Sequence, residues 1–308
     1  MYSFIINPQS RSGTGLKIWK KTEHILKTRR VPYQYFLTEG IGHAREIAKS
    51  LTCNITEEMV IVILGGDGTL NEVIDGICFY DKLILGYIPT GFGNDFARSL
   101  RLPKHLPVAL NHILNPRDFR CIDYGVVSYG STEVFNRRFA VSMGIGFDAA
   151  VNHDIVANNY KKKLHSMHMG SFVYILIGIK QLILAKPSDG YMILDDYKRV
   201  DFHNILFIST HVHKYEGGGF KFAPKADPDD GFFEICAVSN RPKRKLVGIL
   251  FCSLLGRHSK LRGVRTYRCR EIKIHTERPM AVHTDGEPCG IQTDIIARCI
   301  EKKVKIIV

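Results

Sequence analysis

Three glycines in four positions, Gly65, Gly66 and Gly68, surround Asp67 and are followed by Thr69, Asn71 and Glu72. Before them stands Val60-Ile61-Val62-Ile63-Leu64, and after them a helix-compatible Leu70-Asn71-Glu72-Val73-Ile74. The branched run has the length and character of a strand buried on both faces. A strand that ends in glycines and opens a helix brings bare backbone N–H groups to one point. No Cβ blocks the approach there, and the helix terminus favours an anion, so the chemistry is that of a phosphate cradle. Neither G-x-x-x-x-G-K-[ST] nor G-x-G-x-x-G is present. Asp67 among the glycines implies a cation or a base close to the phosphates. The competing reading is a glycine-rich turn that binds nothing.

Other residues invite chemistry with less context. Thr284-Asp285-Gly286-Glu287-Pro288 reads locally as a hairpin turn and chemically as a source of a proton-accepting carboxylate. Asp227, Asp229 and Asp230 before Gly231 are hard oxygen donors suited to Mg²⁺ or Ca²⁺, without EF-hand spacing, or else a solvated acidic turn. His211 and His213 alternate on a strand with no third ligand at zinc spacing, which favours an ordinary loop role. His165 and His168 follow Lys161-Lys162-Lys163 and read as surface residues. No Ser-His-Asp or Cys-His arrangement is visible.

These residues need a scaffold, and the alternation of patterns supplies one. Strands at 2–7, 33–38, 59–64 and 84–88 alternate with helices near 16–30, 41–52, 70–78, 93–100 and 106–114, which predicts a parallel sheet covered by helices. Ligands in such sheets sit beyond the carboxyl ends of the strands. All the unusual loops fall there: Asn7 to Gly15, Thr38 to Gly42, Gly65 to Thr69 and Pro89 to Asp95. After residue 124 the pattern changes to short alternating runs at 135–143, 200–210, 232–238, 271–275 and 280–284, with helices near 170–185 and 243–255. The expected organisation is an α/β domain over 1–124 and an antiparallel β domain over 125–302. The strand 303–308 has the option of returning to the first domain.

With 45% hydrophobic and 24% charged residues, the 308-residue chain has the composition of a folded globular protein. Eight scattered cysteines without a C-x-x-C pair point to reduced thiols and a cytoplasmic setting. No apolar run is long enough to span a bilayer, and the N-terminus reads as a first strand. The net charge of +13 is concentrated in the second half, where six lysines and arginines and no acid occupy 257–270. Charge of this kind meets an anionic lipid surface, nucleic acid or a phosphorylated product, or only solvates a face. No nucleic-acid fold signature accompanies it, so nucleic acid is not expected. The apolar helices near 170–185 and 243–255 read either as core packing or as contacts to a bilayer.

Taken with Asn7-Pro8-Gln9-Ser10 and Pro89-Thr90-Gly91-Phe92-Gly93-Asn94-Asp95-Phe96-Ala97, the run Gly65 to Glu72 resembles the diacylglycerol kinase catalytic domain. More closely, it is similar to the bacterial lipid kinases that share this domain with sphingosine and ceramide kinases. The resemblance continues through Gly144-Ile145-Gly146-Phe147-Asp148-Ala149, Gly217 to Gly219, Ala223 to Gly231 and Asp285-Gly286-Glu287-Pro288, so it covers nearly the whole chain. It implies an ATP site in a cleft between an α/β domain and a β-sandwich domain. Nucleotide contacts are implied at Asn7, Pro8, Gln9, Ser10, Arg11, Thr38, Gly65, Gly66, Asp67, Gly68, Thr69, Asn71, Glu72, Gly91, Asn94 and Asp95. Asp95 has a rival reading as a helix N-cap. A magnesium site is implied at Asp227, Asp230 and Phe232, and the catalytic base at Asp285 or Glu287.

Where the family carries threonine or serine, this chain has Phe92, which removes one hydroxyl contact. The resulting expectation is an ATP- and Mg²⁺-dependent kinase of diacylglycerol or a similar lipid, in phospholipid biosynthesis, held peripherally at the inner face of the membrane. An NAD kinase, which also carries Gly-Gly-Asp-Gly-Thr, is the alternative enzyme, and a catalytically silent nucleotide- or membrane-binding module is the alternative outside catalysis. No coiled coil marks an oligomer, and a homodimer stays open.

Overall fold

A computed structural model describes residues 1–78, 81–130, 132–157, 180–181, 184–239 and 243–308. The chain divides into two compact units, Met1–Asp123 with Lys302–Val308, and Tyr124–Glu301. The helix expected near 170–185 and the lysine run 161–163 fall almost wholly outside the described residues.

The first unit is built from β1 (Tyr2–Ile6), α1 (Ser10–Thr28), β2 (Tyr33–Leu37), α2 (His43–Thr52), β3 (Met59–Gly65), α3 (Asp67–Gly76), β4 (Leu83–Pro89), α4 (Asp95–Ser99) and α5 (Leu106–Leu114). β1 pairs in parallel with β2 and β3, and β3 with β4. Lys305 and Ile306 add a further parallel pairing beside Ile84 and Leu85 of β4. The expected parallel α/β sheet is thus present, and its inner strands β3 and β4 are apolar without alternation because both faces are covered. On one face Phe4, Ile6, Val62, Leu64, Ile84 and Ile88 pack with Trp19, Leu26, Leu110 and Ile113. On these strands Ile5, Ile61 and Ile63 are equally buried, as are Leu70, Val73 and Ile74 of α3. At the start of α1, within the expected loop Asn7 to Gly15, Arg11, Ser12 and Gly13 are left-handed. The regular helix begins only after them, as the serine and glycine content of that stretch anticipates.

The second unit continues with β5 (Phe119–Tyr129), β6 (Phe135–Phe139), β7 (Ser142–Gly146), α6 (Phe147–Ala157), β8 (Ser188–Leu194), β9 (Lys198–His211), β10 (Phe233–Ser239), α7 (Lys243–Leu254), β11 (Val264–Cys269), β12 (Glu271–Thr284) and β13 (Glu287–Ile307). Neighbours pair antiparallel in the order β11, β10, β9, β7, β12, β13, and β8 joins β9 and β12. Phe139, Met143, Ile145, Phe233, Ile235, Ile272 and Val282 are among the residues of its core. A second cluster, around Phe147, Leu206, Phe207, Phe222, Leu246 and Ile249, is covered by α6 and α7.

Two strand boundaries differ from the sequence reading, each for a local reason. The runs 271–275 and 280–284 form one strand, β12, whose register shifts between His275 and Met280. Pro279 cannot donate to the ladder there, and Thr276 Oγ1 donates to the carbonyls of Arg278 and Thr293 instead. The run 135–143 is two strands, broken at Ala140 and Val141, whose N–H groups leave the ladder for the Asp285 carboxylate. Among the described residues, no helix is long and apolar enough to cross a membrane.

Candidate active site

In the first unit the loops after β1, β3 and β4 are tied into one rim at the carboxyl ends of the strands. β3 ends at Gly65, Gly66 is extended, and α3 starts at Asp67 with no side-chain cap hydrogen bond. A helix start without a side-chain cap suits an anion. Both glycines answer steric demands. A Cβ on Gly65 would stand 2.5 Å from Thr69 Cβ, and one on Gly91 would stand 2.6 Å from Gly66 Cα. The Gly66 and Gly91 backbones therefore approach more closely than any larger residue permits.

Hydrogen bonds complete the rim. Asn7 Nδ2 donates to Thr69 Oγ1 at 3.0 Å, while Asn7 Oδ1 accepts from the Gln9 amide at 3.0 Å. The Ser10 and Thr90 hydroxyls are 2.8 Å apart, and the Thr90 N–H donates to the Gly65 carbonyl at 2.8 Å. Asn94 closes a ring with Gly91 through two bonds of 2.9 Å, and the Thr38 N–H donates to the Ile6 carbonyl. The Pro8 carbonyl accepts from Leu16, and Arg11 is exposed. Asn71 is fully buried, and Phe92 is 49% exposed.

The acidic residues of the rim hold backbone. Asp67 accepts from the amides of Asp95 and Phe96 at 3.1 and 3.3 Å, so it caps α4 from a distance. Glu72 accepts from the amides of Gly42 and Ala44 at 2.8 and 3.1 Å and does the same for α2. Asp95 is the first residue of α4 and not its cap, and its carboxylate pairs with Arg98 at 3.3 Å. Carboxylates at these positions satisfy orphan amides and complement the helix dipoles.

In the second unit, Asp285 and Gly286 form the two-residue turn between β12 and β13, both with positive φ (48° and 81°), as a type I′ hairpin requires. The Asp285 carboxylate accepts from the amides of Ala140, Val141 and Ser142 at 2.7, 2.8 and 2.9 Å, and its own N–H donates to the Ser142 carbonyl. Glu287, the first residue of β13, is half-buried.

The acidic loop was read as a magnesium site. Asp230 Oδ1 accepts from the Phe232 amide at 3.0 Å, and Oδ2 pairs with Arg268 at 2.7 Å. The guanidinium groups of Arg268 and Arg270 lie 4.2 and 4.7 Å from the Phe232 ring centre. A dication at Asp227, Asp230 and Phe232 would have to share Asp230 with the Phe232 amide and displace Arg268.

A buried group that the sequence reading did not assemble lies beside the hairpin turn. His283 Nε2 stands 3.0 Å from Glu216 Oε1 and 3.5 Å from Asp148 Oδ2, in line with neither. His211 Nε2 is 3.4 Å from Glu216 Oε2 and 2.9 Å from Ser209 Oγ. Its members come from α6, β9, β12 and a loop, and only the fold unites them. Burial works against a charge on His283, but the close carboxylates of Asp148 and Glu216 work for it more strongly and raise the group's affinity for a proton. Burial raises Asp148, and it lowers His211 to about 4.

Comparison with known proteins follows the same division of the chain. The diacylglycerol kinase catalytic domain matches residues 1–127, and the YegS C-terminal NAD kinase beta sandwich-like domain matches residues 141–308. The chain is 31% identical over 290 residues to "Putative lipid kinase YtlR" of Bacillus subtilis, covering 93% of each. It is 30% identical over 292 residues to a diacylglycerol kinase of Staphylococcus saprophyticus, covering 93% of this chain and 88% of that one. Among solved structures, "a putative diacylglycerol kinase" of Bacillus anthracis has a TM-score of 0.76 at 21% identity, covering 99% and 94% of the two chains. An NAD kinase of Archaeoglobus fulgidus has a TM-score of 0.52 at 13% identity, covering 100% and 94%. These structural likenesses concern the fold.

Two consequences of the geometry are measurable. Gly91→Ala places a methyl against Gly66 Cα and within 2.9 Å of Asn94 Oδ1, and is expected to lower stability by about 1–3 kcal/mol in urea unfolding. An unchanged midpoint would mean that the two loops do not meet. The second consequence concerns pH. Unfolded His211 takes up a proton below its ordinary pKa of 6.5, whereas the folded residue resists until about 4. The unfolded state thus binds more protons in that window, and stability falls as pH drops from 6.5 to 4. The loss from this residue is on the order of 3 kcal/mol and levels off below. His211→Gln is expected to flatten that part of the stability curve, and parallel curves for the two proteins would contradict it.

Proposed function

We propose, starting from the fact that the chain belongs to the diacylglycerol kinase catalytic-domain family, that it transfers the γ-phosphoryl group of ATP to a hydroxyl of diacylglycerol or a similar lipid. The observation that carries the reading is the rim of the first unit. There a helix start without a side-chain cap opens directly after Gly65 and Gly66, and hydrogen-bonded loops fix its surroundings. Phosphoryl transfer asks mainly that phosphates be held and an acceptor be aligned. The α3 amides would take the phosphates, with Thr69 oriented by Asn7. Mg²⁺ would enter with the nucleotide and offset phosphate charge. The Asp230 loop is left out of this role because Arg268 already neutralises it.

Between the two carboxylates of the Asp285–Glu287 turn, we assign the proton-accepting role to Glu287. Three backbone amides already donate to Asp285, and hydrogen bonds to the charged form make a carboxylate a poorer base. Glu287 is the other carboxylate of the turn and is half-buried.

A lipid acceptor requires a membrane surface, and the second unit has features that suit one. Phe251, Leu254 and Leu255 are exposed at the end of α7 and just beyond it. Arg257, Lys260, Arg262, Arg265, Arg268 and Arg270 follow, all exposed. Apolar residues flanked by basic ones match a peripheral attachment to anionic lipid, worth about 1 kcal/mol per basic residue near the surface. This supports a peripheral location at the inner face of the membrane, with phosphatidic acid or its analogue as product.

Phosphoryl transfer from labelled ATP with Mg²⁺ to diacylglycerol, monoacylglycerol, sphingosine, ceramide and a polyprenol in mixed micelles, with NAD in a separate reaction, tests the assignment. Label is expected in one lipid and not in NAD. Glu287→Gln is expected to reduce turnover by roughly 10²–10⁴ with an unchanged melting temperature. Asp285→Asn is expected to lower turnover and stability together, since it sets an N–H against buried amides. Label only in NADP would replace the lipid reading, and a fully active Glu287→Gln would return the base to Asp285.

A further inference from the structure

His283 precedes the Asp285–Gly286 turn by two residues and faces two ways. Its Nδ1 accepts a hydrogen bond from the Gly286 amide at 3.1 Å, and its Nε2 points between Glu216 and Asp148. A backbone N–H can only donate, so Nδ1 must carry a lone pair and the ring proton must sit on Nε2. The ring is fully buried, and the Asp148 and Glu216 side chains beside it are 11% and 10% exposed. Gly144 leaves the space: a Cβ there would meet Asp148 Oδ2 and stand 2.6 Å from His283 Nε2.

By composition and spacing, Asp148, Glu216 and His283 are also a candidate cation site, with ligand atoms all within 4.8 Å of one another. The Gly286 amide argues against it. A metal on Nε2 takes that lone pair and leaves the ring hydrogen on Nδ1, where metal-bound histidines normally donate. Here that hydrogen would face another donor.

Two ionised carboxylates this close to one ring repel each other, so the cluster favours holding one further proton. Burial raises Asp148, and the carboxylates raise His283. One shared proton accounts for both, and the Gly286 amide decides between its carriers. It rests on Asp148, leaving Glu216 charged and His283 neutral.

We propose that His283 is a positioning residue: packed beside Glu216 and Asp148, it accepts from the Gly286 N–H at Nδ1, fixes that peptide and so aims Glu287. Three amides fix Asp285 from the 140–142 side, and the His283 bond fixes the next peptide from the other. Without it the hairpin keeps its first anchor and loses the orientation of the residue that follows. The effect on turnover rests on the lipid kinase reading. The tautomer and the hydrogen bond do not.

Histidine ¹⁵N spectra of the wild-type protein at pH 7.5, assigned with a His283 variant, test the geometry whatever the substrate. The expected result is an unprotonated Nδ1 and a protonated Nε2 on one ring, unaffected by Zn²⁺ or Mn²⁺. A proton on Nδ1, a doubly protonated ring, or loss of the Nε2 proton on adding metal would overturn the proposal. Kinetics test the consequence. Asparagine places an amide oxygen near the Nδ1 position, whereas glutamine reaches only the Nε2 position. His283→Gln is expected to lower kcat roughly 10- to 100-fold with KM for ATP unchanged. His283→Asn is expected to retain at least about tenfold more kcat than His283→Gln. Equal losses in the two variants, or none, would count against positioning. Absence of transfer by the wild-type protein would defeat the lipid kinase reading instead, and the spectra would still decide the tautomer.

Discussion

Backbone amides at helix starts and chain reversals have no partner of their own, and in this chain carboxylates provide one. Asp67 serves the first amides of α4, Glu72 those of α2, and Asp285 three consecutive amides between β6 and β7. Each bond reaches across the sequence, by 28 to 30 positions in the first unit and by 143 to 145 in the second. An orphaned amide in such places costs about 1–3 kcal/mol, so the loops have these shapes because the acids are there. The glycine approach between residues 66 and 91 is possible only with the same loops in register.

That constraint explains what could be read from the sequence. The parallel sheet of the first unit was legible because strand and helix periods are local, and the glycine turn was legible because its chemistry lies within five residues. The antiparallel character of the second unit was legible in its alternating runs. Its strand boundaries were not. The break between β6 and β7 depends on Asp285, far along the chain, and β12 continues past Pro279 because a bulge, and not a strand end, absorbs the missing donor. Asp67 and Glu72 stand where a phosphate contact would be sought, but their partners are amides of other loops, and no spacing rule reveals those.

The cluster of Asp148, Glu216, His211 and His283 was the least legible part. Its residues come from segments that share no motif, and the alternating His211 and His213, with no third ligand at zinc spacing, point only to an ordinary loop role. What reveals the group is packing, since titratable side chains this close together settle their protons among themselves. The acidic loop adds a competitor for its own carboxylate. Asp227 to Gly231 has a donor composition that invites a dication, and the fold instead brings Arg268 from β11 to Asp230. Composition alone cannot distinguish an acid awaiting a cation from an acid that already has one in the chain.

The same reasoning bears on which groups are left for chemistry. A carboxylate that holds three amides is well ordered and, for that reason, poorly basic, because every donor that orders it also stabilises its charge. An enzyme that needs both order and basicity in one turn can divide them between neighbouring residues. Asp285 supplies the order, since its bonds and positive φ set the hairpin. The residue two places on is set by the same hairpin. On this argument the acid–glycine–acid spacing matters because the glycine permits the turn, the first acid anchors it, and the second is presented by it.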